Sequence, residues 1–218
     1  MRLVKLTTLI ALSALLLVSL PAFADSSFTT YAQPTPGGFY VTNTTNYGGG
    51  DGSQGNISSL GPFGFSTQLN ERNVPGSWGT WGCPPATESC TPNVLYTQGS
   101  TSLTLTLTGN FNVAGFELEP DAFAQEEVTA TYYATDLTTV LGTIDLFPNG
   151  SSGALLFGAS DASNIGKIVI NDLAGDDFAI AQLRAGTFVG TTPEPGTMIL
   201  LGTGLLGALG VMRRKMNL

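Results

Sequence analysis

The chain of 218 residues contains no histidine, so the commonest general base and the commonest metal ligand are both missing. What chemistry it has must come from carboxylates, two tryptophans and two cysteines. The carboxylates gather in three places: Glu117, Glu119 and Asp121; Glu126 and Glu127; Asp172, Asp176 and Asp177. On an extended strand Glu117 and Glu119 share one side with Cβ atoms about 6.6–6.8 Å apart, near the separation an inverting glycosidase pair needs. Two acids on the outer side of one strand usually serve solubility, and no catalytic residue is assigned. Asp172, Asp176 and Asp177 lie in a turn before a strand and have the oxygen chemistry of a Ca²⁺ site, although solvated turn residues are the simpler reading of the same pattern. No cofactor is expected beyond that Ca²⁺. The loop around Asp51 fails the EF-hand spacing, and no Gly-x-Ser-x-Gly elbow, phosphate loop or dinucleotide fingerprint occurs. The expectation is a protein that is not an enzyme.

Trp78 and Trp81 are the only tryptophans, and Cys83 and Cys90 the only cysteines. In an exported chain an even cysteine count favours a disulfide, whereas two cysteines without histidine cannot complete tetrahedral zinc. A Cys83–Cys90 bridge would staple a long loop running from about Asn70 to Asn93. Indoles beside glycine on such a loop suit an aromatic platform for a sugar face, which makes Trp78 and Trp81 glycan-binding candidates. They suit equally a cap folded down on an open end of the domain, and the cap is the favoured reading.

These groups need elements to hold them. Residues 25–192 are enough for one all-β domain. Residues 25–60 read as loop-rich, with one strand over Phe39–Thr42. Ser102–Leu107 alternates Leu with Thr, the mark of a half-buried strand. Ala114, Phe116 and Leu118 alternate with Gly115, Glu117 and Glu119 until Pro120. Further strands are expected over Val128–Ala134, Thr138–Leu146, Ala154–Ala159, Lys167–Asn171 and Phe178–Leu183. Short strands at regular spacing with Gly and Asp turns, and no convincing amphipathic helix, indicate an antiparallel β-sandwich of jelly-roll type, with a barrel as the second choice.

Composition separates the ends from this body. Only 11% of residues are charged, against roughly 25% in ordinary soluble domains, and mean hydropathy is +0.20. Residues 1–24 carry Arg2 and Lys5, an apolar run from Leu9 to Leu20, then Ala22-Phe23-Ala24. That order predicts a secretory signal peptide cleaved after Ala24. At the other end Pro193-Glu194-Pro195 precedes an apolar stretch, 198–212, and then Arg213-Arg214-Lys215. As a single transmembrane helix the stretch spans about 22 Å at 1.5 Å per residue, with snorkelling basic side chains extending it. The basic cluster marks the cytoplasmic side. Between the ends, residues 25–192 hold 15 acids against three bases, a net charge of −12. Nucleic acid is therefore not expected as a partner and anionic headgroups are poor ones; divalent cations and neutral polymers are better.

Pro193-Glu194-Pro195, the Gly-rich apolar segment with Leu201-Gly202-Thr203-Gly204-Leu205-Leu206-Gly207, and the final basic cluster together resemble the PEP-CTERM sorting signal of Gram-negative bacteria. The resemblance covers residues 193–218. It implies recognition and processing at Pro-Glu-Pro by an exosortase, transient anchoring in the inner membrane, then delivery to the envelope or exterior in association with exopolysaccharide. Gly115-Phe116 with Pro120, Leu155-Leu156-Phe157-Gly158, Ile168-Val169-Ile170 and Asp177-Phe178-Ala179-Ile180 resemble the jelly-roll domain common in PEP-CTERM proteins. That domain is similar in shape to carbohydrate-binding jelly rolls, but shape alone does not transfer sugar binding. The function expected is a structural or adhesive envelope or matrix protein associated with exopolysaccharide; the alternative is a lectin-like module or a carbohydrate-active enzyme.

Overall fold

The computed structural model describes residues 27–34, 44–45 and 55–187, and none of them is helical. The strands in chain order are β1 (Thr29–Tyr31), β2 (Thr44–Thr45), β3 (Asn56–Leu60), β4 (Phe63–Asn73), β5 (Asn93–Tyr96), β6 (Ser102–Leu107), β7 (Val113–Pro120), β8 (Val128–Ala134), β9 (Val140–Leu146), β10 (Leu155–Ser160), β11 (Ile165–Asp172) and β12 (Phe178–Gly186). They form one antiparallel sheet in the order β1-β10-β7-β12-β5-β4-β6-β11-β8-β9, with β2 added on β12 and β3 on β4. The expected signal peptide, the strand over 39–42, the Pro-Glu-Pro motif, the helix 198–212 and its basic cluster lie outside the described residues. Among the described residues no helix is long and apolar enough to cross a membrane.

The all-β antiparallel body is as expected; its two layers are joined into one sheet curled on itself, close to the barrel given as second choice. The strand responsible is β4. Its first residues, Phe63–Phe65, pair with Leu107–Leu105 of β6, while Asn70–Asn73 pair with Tyr96–Asn93 of β5. Eleven residues let one strand belong to both layers and turn the corner between them. At the opposite side the seam is filled by Phe28, just before β1. Its ring lies 5.4 Å from that of Tyr132 in β8 and rests on Gly142 of β9, where a Cβ would have no room. The result is a flattened, nearly closed barrel.

Period-2 alternation puts the core inside this barrel. Leu103 and Leu105 are opposed to Ile170 and Ile168 of β11, and all four are buried. Phe116 and Phe157 stack with centroids 5.4 Å apart and planes 1° from parallel. The Tyr132 hydroxyl donates to the Phe157 carbonyl at 2.9 Å, which satisfies the one polar atom it brings inside. Burying each such large side chain contributes about 1.5–3 kcal/mol.

β12 departs from simple alternation in a way that matters for function. Phe178 and Ile180 point into the barrel, as do Leu183 and Ala185. The change from even to odd occurs at Gln182, whose φ is +50°, where pairing with β7 slips between Ala181 and Arg184. This bulge reverses the phase of the strand. Without it Arg184 would point into the apolar core; with it Arg184 lies on the outer face with Ala179 and Ala181.

That outer face is covered. Residues 74–92, between β4 and β5, fold back across β12 and β7 and build a second apolar cluster from Val74, Trp78, Trp81, Val94, Ala154, Ala179 and Ala181, with Tyr96 against it. All eight residues of β7 are consequently buried. The expectation that Glu117 and Glu119 stand on a solvated side is therefore corrected, because a segment read as a surface loop supplies their cover.

Candidate functional site

The covering segment is fixed at several points. Cys83 and Cys90 form a disulfide. The Ala154 amide donates to the Trp81 carbonyl at 2.8 Å. Gly82 and Gly153 pass so closely that a Cβ on Gly153 would lie 2.8 Å from the Gly82 Cα, and both have positive φ, +85° and +121°. These two glycines meet a steric and a conformational requirement together.

Beneath it lies a buried polar knot. Trp81 is 1% exposed, and its indole Nε1 donates to Glu117 Oε2 at 2.9 Å. The Glu88 amide donates to Glu117 Oε1 at 2.7 Å, and Arg184 Nη2 donates to the same oxygen at 2.9 Å. Arg184 also reaches Glu88 Oε2 at 2.5 Å. Burial pushes the Glu117 carboxyl up, and Arg184, the indole and the Glu88 amide pull it back. Three donors converge on Glu117, and the side chain has no exposed surface. It is a structural acid.

Glu119, two residues on, faces an open pocket. The pocket has a volume of about 160 Å³ and is walled by Arg72, Trp78, Thr80, Tyr96, Glu119 and Asp121, with Phe123 on its rim. Tyr96 is its organising ring: Trp78 packs against it at 5.4 Å, and the Arg72 guanidinium lies over it at 5.0 Å. Arg72 is held by Nε donating to Asn70 Oδ1 at 2.8 Å and Nη1 to the Ser77 carbonyl at 3.3 Å. The Tyr96 hydroxyl donates to Asp177 Oδ2, which also accepts the Gly99 amide at 2.6 Å. Burial and this bond raise the Tyr96 pKa. Burial is also the main cause that pushes Glu119 up to about 7, with the Thr80 hydroxyl and Trp78 offsetting part of it. Thr80 Oγ1 donates to Glu119 Oε1, while Oε2 is buried and accepts no well-formed hydrogen bond. Burial and the neighbouring Asp177 raise Asp121 as well.

The structure thus separates the residues singled out in the sequence. Trp81 offers no free face. Trp78 is 7% exposed and keeps an edge in the pocket wall, so the two indoles do not make an open platform. Asp177 belongs to the pocket side through Tyr96. Asp172 is buried and turns elsewhere, its Oδ1 accepting the Ala174 and Gly175 amides at 2.8 and 3.3 Å. No donor group reaches its other oxygen or Glu126 Oε2; the Glu126 carboxyl instead faces Asp172 and Asp176. Burial first, then Asp172 and Asp176, push Glu126 up to about 8. Among the described residues no three acidic or cysteine side chains are gathered closely enough to hold a metal ion. Sequence reasoning missed Arg72 and Arg184. A signal was present: they are two of only three cations in residues 25–192.

Comparison with known proteins adds the following. Residues 191–215 match the PEP-CTERM protein-sorting motif. No curated protein matches the chain. Among solved structures, an arabinose-bound MgGH51 α-L-arabinofuranosidase is similar at 11% identity and a TM-score of 0.40, over 67% of this chain and 26% of that one. The enzymatically active domain of tailspike protein 4 from bacteriophage CBA120 is similar at 14% identity and a TM-score of 0.34, over 65% of this chain and 21% of that one. The chain thus spans about a quarter or less of the length of these structures.

Proposed function

We propose that this chain is a non-catalytic envelope or extracellular-matrix protein, exported through a signal peptide cleaved after Ala24, held in the inner membrane by residues 198–212 and processed at Pro193-Glu194-Pro195 by an exosortase. The observation that carries this reading is the sorting motif over residues 191–215. The body supports it in three ways. The disulfide suits an oxidising compartment. A net charge of −12 over residues 25–192 keeps the domain soluble and away from anionic surfaces. Glu117 is enclosed and held by three donors, so it cannot act with Glu119 as the facing carboxylate pair of a glycosidase. After processing the body is displayed in, or released to, the exopolysaccharide layer, where its role is structural or adhesive. The test is Glu194→Ala in a host that carries an exosortase. The variant is expected to accumulate as an inner-membrane precursor while the wild type is shortened and leaves that membrane. Unchanged size and location would contradict the proposal.

A further inference from the structure

We propose that the pocket between Trp78, Tyr96, Glu119 and Asp121 binds a single uncharged sugar ring, as one residue of a neutral polysaccharide. This goes beyond sorting, since it concerns what the body does wherever it is displayed.

Size is the first argument. A cavity on the order of 150 Å³ accommodates one six-membered carbon ring, and this pocket has about 160 Å³. Its walls supply the second. Pyranose rings combine apolar C–H faces with hydroxyls that both donate and accept, and sites for such ligands join aromatic surface to a few convergent polar groups. Here Trp78 contributes an edge packed against Tyr96, whose ring is already covered by the Arg72 guanidinium, so the open aromatic face for a sugar is that of Phe123, 79% exposed at the rim. Glu119 offers the third. It is 99% buried, and Oε2 accepts no well-formed hydrogen bond although the Trp78 side chain already interacts with the carboxyl, so there is acceptor capacity left for a ligand hydroxyl. With its carboxyl near half-protonation at neutral pH, the group can accept from one hydroxyl or donate to another.

Charge selects against other ligands. Asp121 and Asp177 are close enough to raise the pKa of Asp121, so an anion would meet their repulsion. A metal ion finds no group of three ligating side chains among the described residues, and the Arg72 guanidinium lying across Tyr96 takes the place over the ring that an organic cation would need. A neutral polyol uses both, its hydroxyls donating to the carboxylates and accepting from the guanidinium.

The experiment is titration of the full chain in detergent with glucose, galactose and mannose, and with glucuronate as the anionic control, followed by ligand-observed NMR. At least one neutral pyranose is expected to bind saturably, and glucuronate far more weakly. Glu119→Gln keeps the shape of the side chain and is expected to weaken binding roughly tenfold, as loss of one good charge-assisted hydrogen bond would. Phe123→Ala, at an exposed position that cannot disturb the fold, is expected to weaken it by about threefold or more. Failure of all three neutral sugars to bind would overturn the proposal. So would binding that neither variant alters, or glucuronate binding as tightly as the neutral sugars. None of these results depends on where the chain is sorted, so failure here is distinguishable from failure of the sorting proposal.

Discussion

Arg184 is one of three cations in residues 25–192, and the fold spends it inside, at 2% exposure. A buried ion pair adds little net stability when intact, but removing one partner leaves a charge uncompensated. Arg184→Met should therefore cost about 3–5 kcal/mol, read as a lowered urea midpoint with unchanged slope. An effect below about 1 kcal/mol would show that the network is solvated rather than enclosed. The pKa shifts make a second prediction. Glu119 and Glu126 rise from 4.5 to about 7 and about 8, so between those values the folded state holds protons that the unfolded state has released. Their stabilising contribution is whole below about pH 4.5 and is lost as pH climbs through 7 and 8. The melting temperature should fall from pH 5 to pH 8.5, and Glu119→Gln with Glu126→Gln should flatten that slope. Growing self-repulsion of the acidic body acts in the same direction, so it is the flattening that identifies these two groups. None of this was legible in the sequence: alternation assigns Glu117 and Glu119 to one side of a strand, and only the segment lying over that side decides whether it is wet.

The decisive element is the 74–92 segment. Its chemistry was readable: paired cysteines, glycines and both tryptophans in one loop. Its destination was not, since nothing local says which face of which strand a loop will cover. The strands of the second half were readable for a simple reason. Ser102–Leu107 and Val128–Ala134 alternate cleanly because each has one apolar and one polar side, and both were placed to the residue. β3, β4 and β5 were missed because their burial is uneven. β4 crosses from one layer to the other, so its sides change roles along its length and no single period describes it. The bulge at Gln182 defeats periodicity in the same way. The staple itself can be weighed. Closing so short a loop is worth about 2–3 kcal/mol in the chain-entropy account. Cys83→Ser with Cys90→Ser should lower the unfolding free energy by about that much, and a reductant should do the same to the wild type. Loss well beyond it would mean that the cover detaches as a unit and takes the second apolar cluster with it. No loss at all would mean that hydrogen bonds such as Ala154 to Trp81 hold the cover alone.

On the scale of the whole molecule, low charge and high hydropathy stood side by side in the composition and have separate origins. The apolar and basic character is concentrated in the two ends, which supply five of the eight cations. The barrel between them is poor in charge of either kind and strongly acidic in balance. The account of the whole chain is that the ends address it and the barrel is the cargo, with a sorting motif over residues 191–215 as the signal. The measurement that tests this most directly is the intact mass of the protein recovered from the envelope or medium of a host that carries an exosortase, with sequencing of both termini. The expected result is a chain that begins at Asp25 and ends near Pro193-Glu194-Pro195, without Arg213-Arg214-Lys215. A mature protein that keeps both ends, or keeps the basic cluster while lacking only residues 1–24, would contradict it.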